Sequence, residues 1–135
     1  MQISEIMHQG IISVNINDTV KNVAAVMKAE DIGAVPVMEE GKPVGFVTDR
    51  DIVISCVAEG HSLDEPISHA MTDDLITIDC ESEVHEASRM MRENKVSRLL
   101  VMEDEKPIGM VSLQDLSSID DEDLSGKTLN SIKRN

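Results

Sequence analysis

The stretch that decides the fold is Lys42-Pro-Val-Gly-Phe-Val-Thr-Asp-Arg-Asp51, because it returns 64 residues later as Lys106-Pro-Ile-Gly-Met-Val-Ser-Leu-Gln-Asp115. The same offset relates residues 6–52 to residues 70–116 without a gap. Such internal repetition indicates one structural unit present twice. The repeated stretch mixes turn, strand and polar residues, so we expect it to carry function as well as core packing.

The composition favours a small mixed domain that stays in the cytoplasm. A repeat of roughly 65 residues is marginal on its own, so we expect the two copies to share a core about a pseudo-twofold axis, with a cleft along it. The net charge is −14, and the only aromatic residue is Phe46. Nucleic acid and anionic membranes are therefore poor partners, since they require basic surfaces and, for single strands, aromatic platforms. No signal sequence or apolar span of about 20 residues is visible.

Each copy shows the pattern of a β-α-β-β-α unit. Residues 11–14 and 75–78 are rich in β formers, and polar residues that can cap a helix follow at Asp18 and Ser82. The first helix then has apolar residues at helical spacing, namely Val20, Val23, Ala24 and Met27 in the first copy and Val84, Ala87, Ser88 and Met91 in the second. A hairpin turns near Gly41 or Glu105, and a second helix begins near Asp49 or Leu113.

The chain is thus predicted to divide into four parts. The first repeat covers residues 1–60, a linker covers 61–67, the second repeat covers 68–118, and a polar C-terminal tail covers 119–135. Cys56 and Cys80 form no CxxC motif, so we interpret them as small buried apolar residues. The predicted fold class is α/β (α+β).

The chemically informative residues are the hydroxyl and carboxylate pairs Thr48/Asp51 and Ser112/Asp115, which lie where a strand passes into a helix. A carboxylate accepts two hydrogen bonds from a vicinal diol, while a hydroxyl and free N–H groups at a helix start suit a phosphate. A diol and a phosphate together indicate a nucleotide. Alternatively, the hydroxyls are helix N-caps and the carboxylates occupy a favourable first turn.

A glycine lies three residues before each hydroxyl, at Gly45 and Gly109. It leaves the strand free of side-chain bulk, so we expect a flat ring to approach there. Alternatively, the glycines only relieve packing. Recurrence of glycine, hydroxyl and carboxylate in both copies favours binding over local structure.

The doubled unit, with its Gly-Phe-Val-Thr-Asp-Arg-Asp and Gly-Met-Val-Ser-Leu-Gln-Asp endings, resembles a tandem pair of CBS domains over about residues 4–118. The resemblance implies two CBS units packed through their sheets. It also implies a cleft that binds an adenosine derivative such as AMP, ADP, ATP, NAD or S-adenosylmethionine and thereby regulates a partner protein.

Carried over by residue, the resemblance implies that Asp51 and Asp115 hold ribose hydroxyls and that Thr48 and Ser112 contact phosphate. It places adenine against residues that could equally be plain core: Ile12, Ser13, Val35 and Pro36 in one site, and Ile76, Thr77, Leu99 and Leu100 in the other.

Arg50 and Arg98 are the cations best placed to neutralise phosphate, although a solvated surface role fits each of them equally well. The copies differ at several of these positions, since Leu113-Gln114 replaces Asp49-Arg50 and Leu100 replaces Pro36. We therefore expect two unequal sites.

Other chemistry finds less support in the sequence. The two Cys-x4-His spacings, Cys56/His61 and Cys80/His85, are unrelated by the repeat and fit no zinc motif, so no metal is predicted. His69 is interpreted as a solvent-exposed residue, and contact with a phosphate at the cleft is the alternative. No nucleophile elbow or phosphate-binding loop indicates an enzyme.

We therefore predict a stand-alone regulatory module without a catalytic cofactor, whose regulatory ligand is an adenine nucleotide. The rival hypothesis is a structural module for dimerisation and partner docking with no ligand. Apolar residues in the second helices suggest a homodimer interface: Ile52, Val53, Ile54, Val57, Leu113 and Leu116.

Overall fold

The computed structural model describes residues 1–73 and 75–119. The first repeat forms β2 (Val14–Asn15), α1 (Val20–Glu30), β3 (Ala34–Glu39), β4 (Lys42–Thr48) and α2 (Asp49–Ile52), which continues as a π-helical turn over Val53–Val57. The second repeat forms β5 (Thr77–Asp79), α3 (Val84–Asn94), β6 (Arg98–Glu103), β7 (Lys106–Ser112) and α4 (Leu113–Ser117). The predicted mixed α/β class and the β-α-β-β-α order are confirmed. The predicted C-terminal tail, from residue 120 onward, lies outside the described residues.

Each repeat begins with a short 3-10 helix that the sequence patterns did not indicate. These turns are Ile3–Glu5, followed by β1 (His8–Gln9), and Ile67–His69. The chain forms two compact units. One is made of Gly10–Ile76 with Glu105–Pro107, and the other is made of Met1–Gln9 together with Thr77–Asp104 and the described residues from Ile108 onward. The Ile67 turn thus belongs with the first repeat, and the N-terminal residues belong with the second.

The first-repeat unit has a three-stranded sheet in the order β2-β3-β4. Strand β2 runs parallel to β3, and β3 pairs with β4 in an antiparallel hairpin. Strand β3 is buried over its first four residues, and the apolar side of α1 packs with it in one core cluster. Ile67, from the following segment, is fully buried in the same cluster.

The second-repeat unit has a four-stranded sheet in the order β1-β7-β6-β5. Strand β1 is antiparallel to β7, and β5 is parallel to β6. Ile3 is fully buried, and its N–H donates to the Ser82 carbonyl at 2.8 Å. The N-terminal segment is therefore an integral part of this unit.

Two local predictions were wrong by a few residues. The strands expected at 11–14 and 75–78 begin only at Val14 and Thr77, where the parallel pairing starts. The N-cap residues are Thr19 and Glu83 rather than Asp18 and Ser82. The Thr19 hydroxyl accepts from the Asn22 N–H, whereas the Glu83 carboxylate accepts from the N-terminal amino group of Met1. The Asp18 carboxylate instead accepts from the Asn15 N–H in the preceding turn.

Two apolar positions also differ from the predicted pattern. Ala24 is exposed, although Val20, Val23 and Met27 of the same stripe are buried as expected. Small alanine side chains at the margin of a helix stripe need not reach the core. Ile52 lies in the core rather than on an interface, because its side chain is turned into the first-repeat cluster.

Both cysteines are free and buried, as predicted. Desolvation by burial raises the pKa of the Cys80 thiol, with neighbouring carboxylates adding to the effect. The thiol form is therefore favoured, and the residue serves as a small core side chain.

The segment between the repeats is fixed to the start of α1. The Glu65 carbonyl accepts from the Val20 N–H at 2.9 Å, and the Leu63 carbonyl accepts from the Lys21 N–H at 3.0 Å. These bonds satisfy two N–H groups of the first helical turn, which have no partner within the helix. The Glu65 side chain hydrogen-bonds to His69, with Nδ1 and Oε1 2.6 Å apart, and lies near His61.

We expect Glu65→Gln to change how stability depends on pH. The hydrogen bond from His69 lowers the pKa of Glu65 below its ordinary value. A carboxyl whose pKa is lower in the folded state stabilises the fold above its unfolded pKa, and this contribution is lost as the pH falls through the folded value. Thermal midpoints measured from pH 7 to pH 3 should show a small wild-type advantage that shrinks below about pH 4.5.

Ser68→Ala, next to the same contact, is the control for that experiment and should leave the pH profile unchanged. A Glu65→Gln profile parallel to that of the wild type down to the lowest pH would contradict the assigned role of the carboxylate.

Candidate functional site

The hydroxyl and carboxylate pairs lie at the junctions of β4 with α2 and of β7 with α4. In the first repeat the Thr48 hydroxyl accepts from the Asp51 N–H at 3.0 Å, and Asp51 Oδ2 accepts from the Thr48 N–H at 2.9 Å. In the second repeat Ser112 and Asp115 form the same two bonds at 3.1 and 2.8 Å. Both pairs are therefore reciprocal capping boxes.

The capping bonds leave polar groups of both pairs available to a ligand. Each hydroxyl accepts one bond from a backbone N–H, so its proton remains a donor. Each capping bond fixes one carboxylate oxygen, which orients the other oxygen. Oδ1 of Asp51 has no hydrogen-bond partner among residues 1–73 and 75–119. A half-buried, oriented carboxylate with an open oxygen is a suitable acceptor for a ligand hydroxyl.

The helix starts offer fewer free N–H groups than expected. The Asp49 N–H donates to the Gly33 carbonyl at 2.9 Å, and the Leu113 N–H donates to the Ser97 carbonyl at 2.8 Å. The third N–H of each helix is held in its capping box. Phosphate recognition at these helix starts would therefore depend on the hydroxyls and on nearby cations.

Gly45 and Gly109 leave room for the protein's own backbone. A Cβ on Gly45 would lie 2.5 Å from the Thr72 carbonyl oxygen, and one on Gly109 would lie 2.5 Å from the His8 carbonyl oxygen. The free space at each glycine is therefore occupied by the protein's own backbone, which pairs with the strand there. This close backbone approach supports the alternative that the glycines relieve packing, and the contact with a flat ring stays a prediction.

The remaining first-repeat candidates differ widely in exposure. Ile12 and Ser13 are exposed just before β2, whereas Val35 and Pro36 are fully buried in β3. Their neighbours in the hairpin are Val47 and Phe46 of β4. Ile12 and Ser13 can meet a ligand directly, while Val35 and Pro36 form the core in this structure.

The second-repeat candidates follow the same pattern. Ile76 is half-buried, and Thr77 is exposed at the start of β5, where it pairs with Leu100. Leu99 and Leu100 are fully buried. The two repeats thus share a buried pair in β3 and β6, and the equivalent residues Ser13 and Thr77 are both exposed.

The two arginines are exposed next to the helix starts. Arg50 lies within α2, between the two acidic residues Asp49 and Asp51, and Arg98 follows Ser97, whose carbonyl bonds to the first residue of α4. Neither guanidinium forms an ion pair within the part of the chain that the structure describes. Both are therefore available to an anionic group.

His8 contacts the second capping box, although the sequence patterns did not indicate this contact. Its Nε2 lies 2.9 Å from Asp115 Oδ1. The two residues also line an open pocket of about 310 Å³, together with Met1, Ile6, Met7, Ser118 and Ile119. The repeat could have drawn attention to His8. It directly follows Met7, which is identical to Met71 in the other copy, and the offset of 64 residues places it at the position of Thr72.

Three further properties bear on the candidate functions. In the described ranges, no cluster of three or more His, Cys, Asp or Glu side chains is arranged to hold a metal ion. His69 is exposed and contacts Glu65 rather than the capping boxes. No helix among the described residues is both long and apolar enough to cross a membrane.

Comparison with known proteins identifies the family. The CBS domain model matches residues 3–57 and 67–122. The chain is 30% identical over 115 residues to the CBS domain-containing protein YhcV of Bacillus subtilis, covering 85% of this chain and 82% of that protein.

Two solved structures show the same fold. Hypoxic Response Protein I, with two coordinated zinc ions, aligns with a TM-score of 0.77 and 26% identity over 88% of this chain and 98% of that one. The CBS domain protein PAE2072 from Pyrobaculum aerophilum, complexed with AMP, aligns with a TM-score of 0.81 and 24% identity over 92% and 95% of the two chains. The chain therefore belongs to the CBS-domain family and carries two CBS domains.

Proposed function

We propose that this protein is a regulatory module that binds an adenosine-containing nucleotide through its capping-box carboxylates and signals occupancy to a partner protein. The observation that carries this proposal is the oriented carboxylate of Asp51, whose Oδ1 has no partner among the described residues. A ribose presents two adjacent hydroxyl donors, which match a carboxylate acceptor. PAE2072, which has the same fold, was solved in complex with AMP. The ligand class proposed for this chain rests on its own residues.

The roles of the other residues follow from their chemistry. The Thr48 and Ser112 hydroxyl protons are available to a phosphate, because their oxygens already accept the capping bonds. Arg50 and Arg98 supply the positive charge that a phosphate needs in a protein of net charge −14. For the base, exposed Ile12 offers apolar surface in the first repeat, and exposed Thr77 offers polar surface in the second.

The module can signal only if its ligand binds two conformations with different affinities. The mechanism therefore depends less on which nucleotide binds than on the difference between its affinities for the two conformations. We further propose that the protein acts in the cytoplasm as a homodimer.

We expect AMP to bind with a dissociation constant that rises at least about tenfold in Asp51→Asn, because a hydrogen bond to a charged group contributes about 1.5–3 kcal/mol. Isothermal titration of the whole chain measures this change. The sharper comparison uses 2′-deoxy-AMP, which keeps adenine and phosphate but lacks the diol. It should bind wild type about as weakly as AMP binds Asp51→Asn.

Asp49→Asn is the matched control, since it removes the same charge two residues earlier at an exposed position. It should change AMP affinity less than Asp51→Asn does. Equal binding of AMP and 2′-deoxy-AMP would rule out diol recognition. ADP, ATP, NAD and S-adenosylmethionine belong in the same titration series, because each contains the diol.

A second candidate function, dimerisation and partner docking without a ligand, is favoured by one observation. Val53, Ile54 and Val57 are 55%, 46% and 57% exposed, all within five residues, and Leu113 is 52% exposed in the other unit. Exposed large apolar side chains that cluster indicate an interaction surface. A dimer in sedimentation experiments, combined with no response to any nucleotide in the titration series, would favour this function over the sensor.

A further inference from the structure

The two capping-box carboxylates differ in one contact, and the difference lies in the segment before each repeat. The offset of 64 residues relates His8 to Thr72 and Asp115 to Asp51. Each segment pairs with the strand that ends at its capping box, through His8 with Met110 and through Thr72 with Phe46. Positions 8 and 72 are therefore equivalent in the two units, but histidine has a longer side chain than threonine.

His8 uses that length to reach the carboxylate. Its Nε2 hydrogen-bonds to Asp115 Oδ1 at 2.9 Å, while Asp115 Oδ2 accepts from the Ser112 N–H at 2.8 Å. Both oxygens of Asp115 thus have a protein partner. Asp51 has only the capping bond at Oδ2 within the described ranges. The two carboxylates therefore offer a ligand different numbers of free acceptor positions.

We propose that His8 is a site-selecting residue, which occupies Asp115 and so directs a diol ligand to the Asp51 site first. This inference rests on the proposed nucleotide-binding function. A ligand hydroxyl that approaches Asp115 Oδ1 must displace the imidazole or share the oxygen with it. Losing a hydrogen bond in exchange for a new one gives a smaller net gain than adding a bond to an open oxygen.

The contact can be exchanged because His8 is not locked in place. The His8 side chain is 77% exposed, whereas that of Asp115 is only 17% exposed. The imidazole can therefore rotate into solvent, while the carboxylate remains held by its capping box. The open pocket of about 310 Å³ beside the pair has room for a small polar ligand once the ring has moved. His8 thus weakens the second site without abolishing it.

The test isolates the second site by titrating AMP into the Asp51→Asn variant of the whole chain. In that background, adding His8→Ala should lower the dissociation constant for AMP about fivefold, the effect of removing one competing hydrogen bond. His69→Ala in the same background is the matched control, since His69 is also an exposed histidine but contacts Glu65. It should leave the dissociation constant unchanged.

Each outcome decides between the hypotheses. If AMP binds wild type and His8→Ala leaves the second site unchanged or weaker, His8 does not compete with ligand, and site selection is overturned while the proposed function stands. If AMP binds neither the wild type nor any variant, AMP recognition itself fails and the inference fails with it. A second readout is the ¹⁵N shift of His8 Nε2, which should change in Asp115→Asn without any nucleotide present.

Discussion

Gly45→Ala should lower the free energy of unfolding by about 3 kcal/mol, because the new methyl group has no space. Its Cβ would lie 2.5 Å from the Thr72 carbonyl oxygen and 3.2 Å from the Met71 sulfur. The carbonyl cannot move aside freely, since it accepts from the Phe46 N–H at 2.9 Å and the Thr72 N–H donates to the Phe46 carbonyl. The clash must therefore break this pairing or shift the strand.

Gly109→Ala should cause a similar loss, as its Cβ would meet the His8 carbonyl oxygen at the same distance. Gly33→Ala is the matched control. Its Cβ would lie 3.0 Å from Asp49 Oδ2, the end of an exposed side chain that can rotate away. We expect that variant to stay within about 1 kcal/mol of wild type.

Urea unfolding followed by circular dichroism gives the three free energies directly. Alanine also restricts the unfolded chain more than glycine does, which alone would stabilise each variant by up to about 1 kcal/mol. A Gly45→Ala protein as stable as Gly33→Ala would therefore show that the Thr72 segment does not approach β4 as described.

Ile67→Ala should destabilise the protein by about 3–4 kcal/mol, a loss typical of a large side chain removed from a packed core. Ile67 is fully buried and belongs to the core cluster of the first-repeat unit, which also contains Val20 and Val37. Its N–H also donates to the Asp18 carbonyl at 2.7 Å, so the backbone will hold the shortened side chain in place and a cavity will remain. Ile3 has the equivalent position in the other unit and should respond in the same way.

Leu63→Ala, four residues earlier, serves as the control for Ile67→Ala. Leu63 is 47% exposed, and only its backbone carbonyl is used in capping α1, so its substitution should cost no more than about 0.5 kcal/mol. Denaturant midpoints of the two variants can be compared in one experiment. Equal, small losses would mean that Ile67 does not contribute to the core of the unit.

These two predictions concern features that the sequence patterns did not reveal. The repeat showed that Gly45 and Gly109 matter in both copies, but their role depends on which atom lies opposite each glycine. That atom belongs to residue 72 or residue 8, which the pairing of distant strands brings there. Hydrophobic periodicity could not place Ile3 or Ile67 either, since a three-residue helical turn is too short to show a period.

The regular elements were predictable because their signals are local. The spacing of apolar residues predicted α1 and α3, and the turn at Gly41 separated β3 from β4. The predicted ends of the elements were less accurate. At Thr19 a single hydrogen bond sets the boundary of the helix, and at Thr77 the start of the strand pairing sets that of the strand.

The sequence by itself determined that one β-α-β-β-α unit occurs twice and that a hydroxyl and a carboxylate three residues apart start each second helix. A capping box needs only four consecutive residues, so its chemistry is already present in the local sequence. Only the tertiary structure decided that Asp115 has a protein partner at both carboxylate oxygens, whereas Asp51 has one at Oδ2 alone among the described residues. The contact of His8 with Asp115 joins residues 107 positions apart, and nothing in the neighbourhood of either residue specifies it, because the contact arises only once β1 has paired with β7.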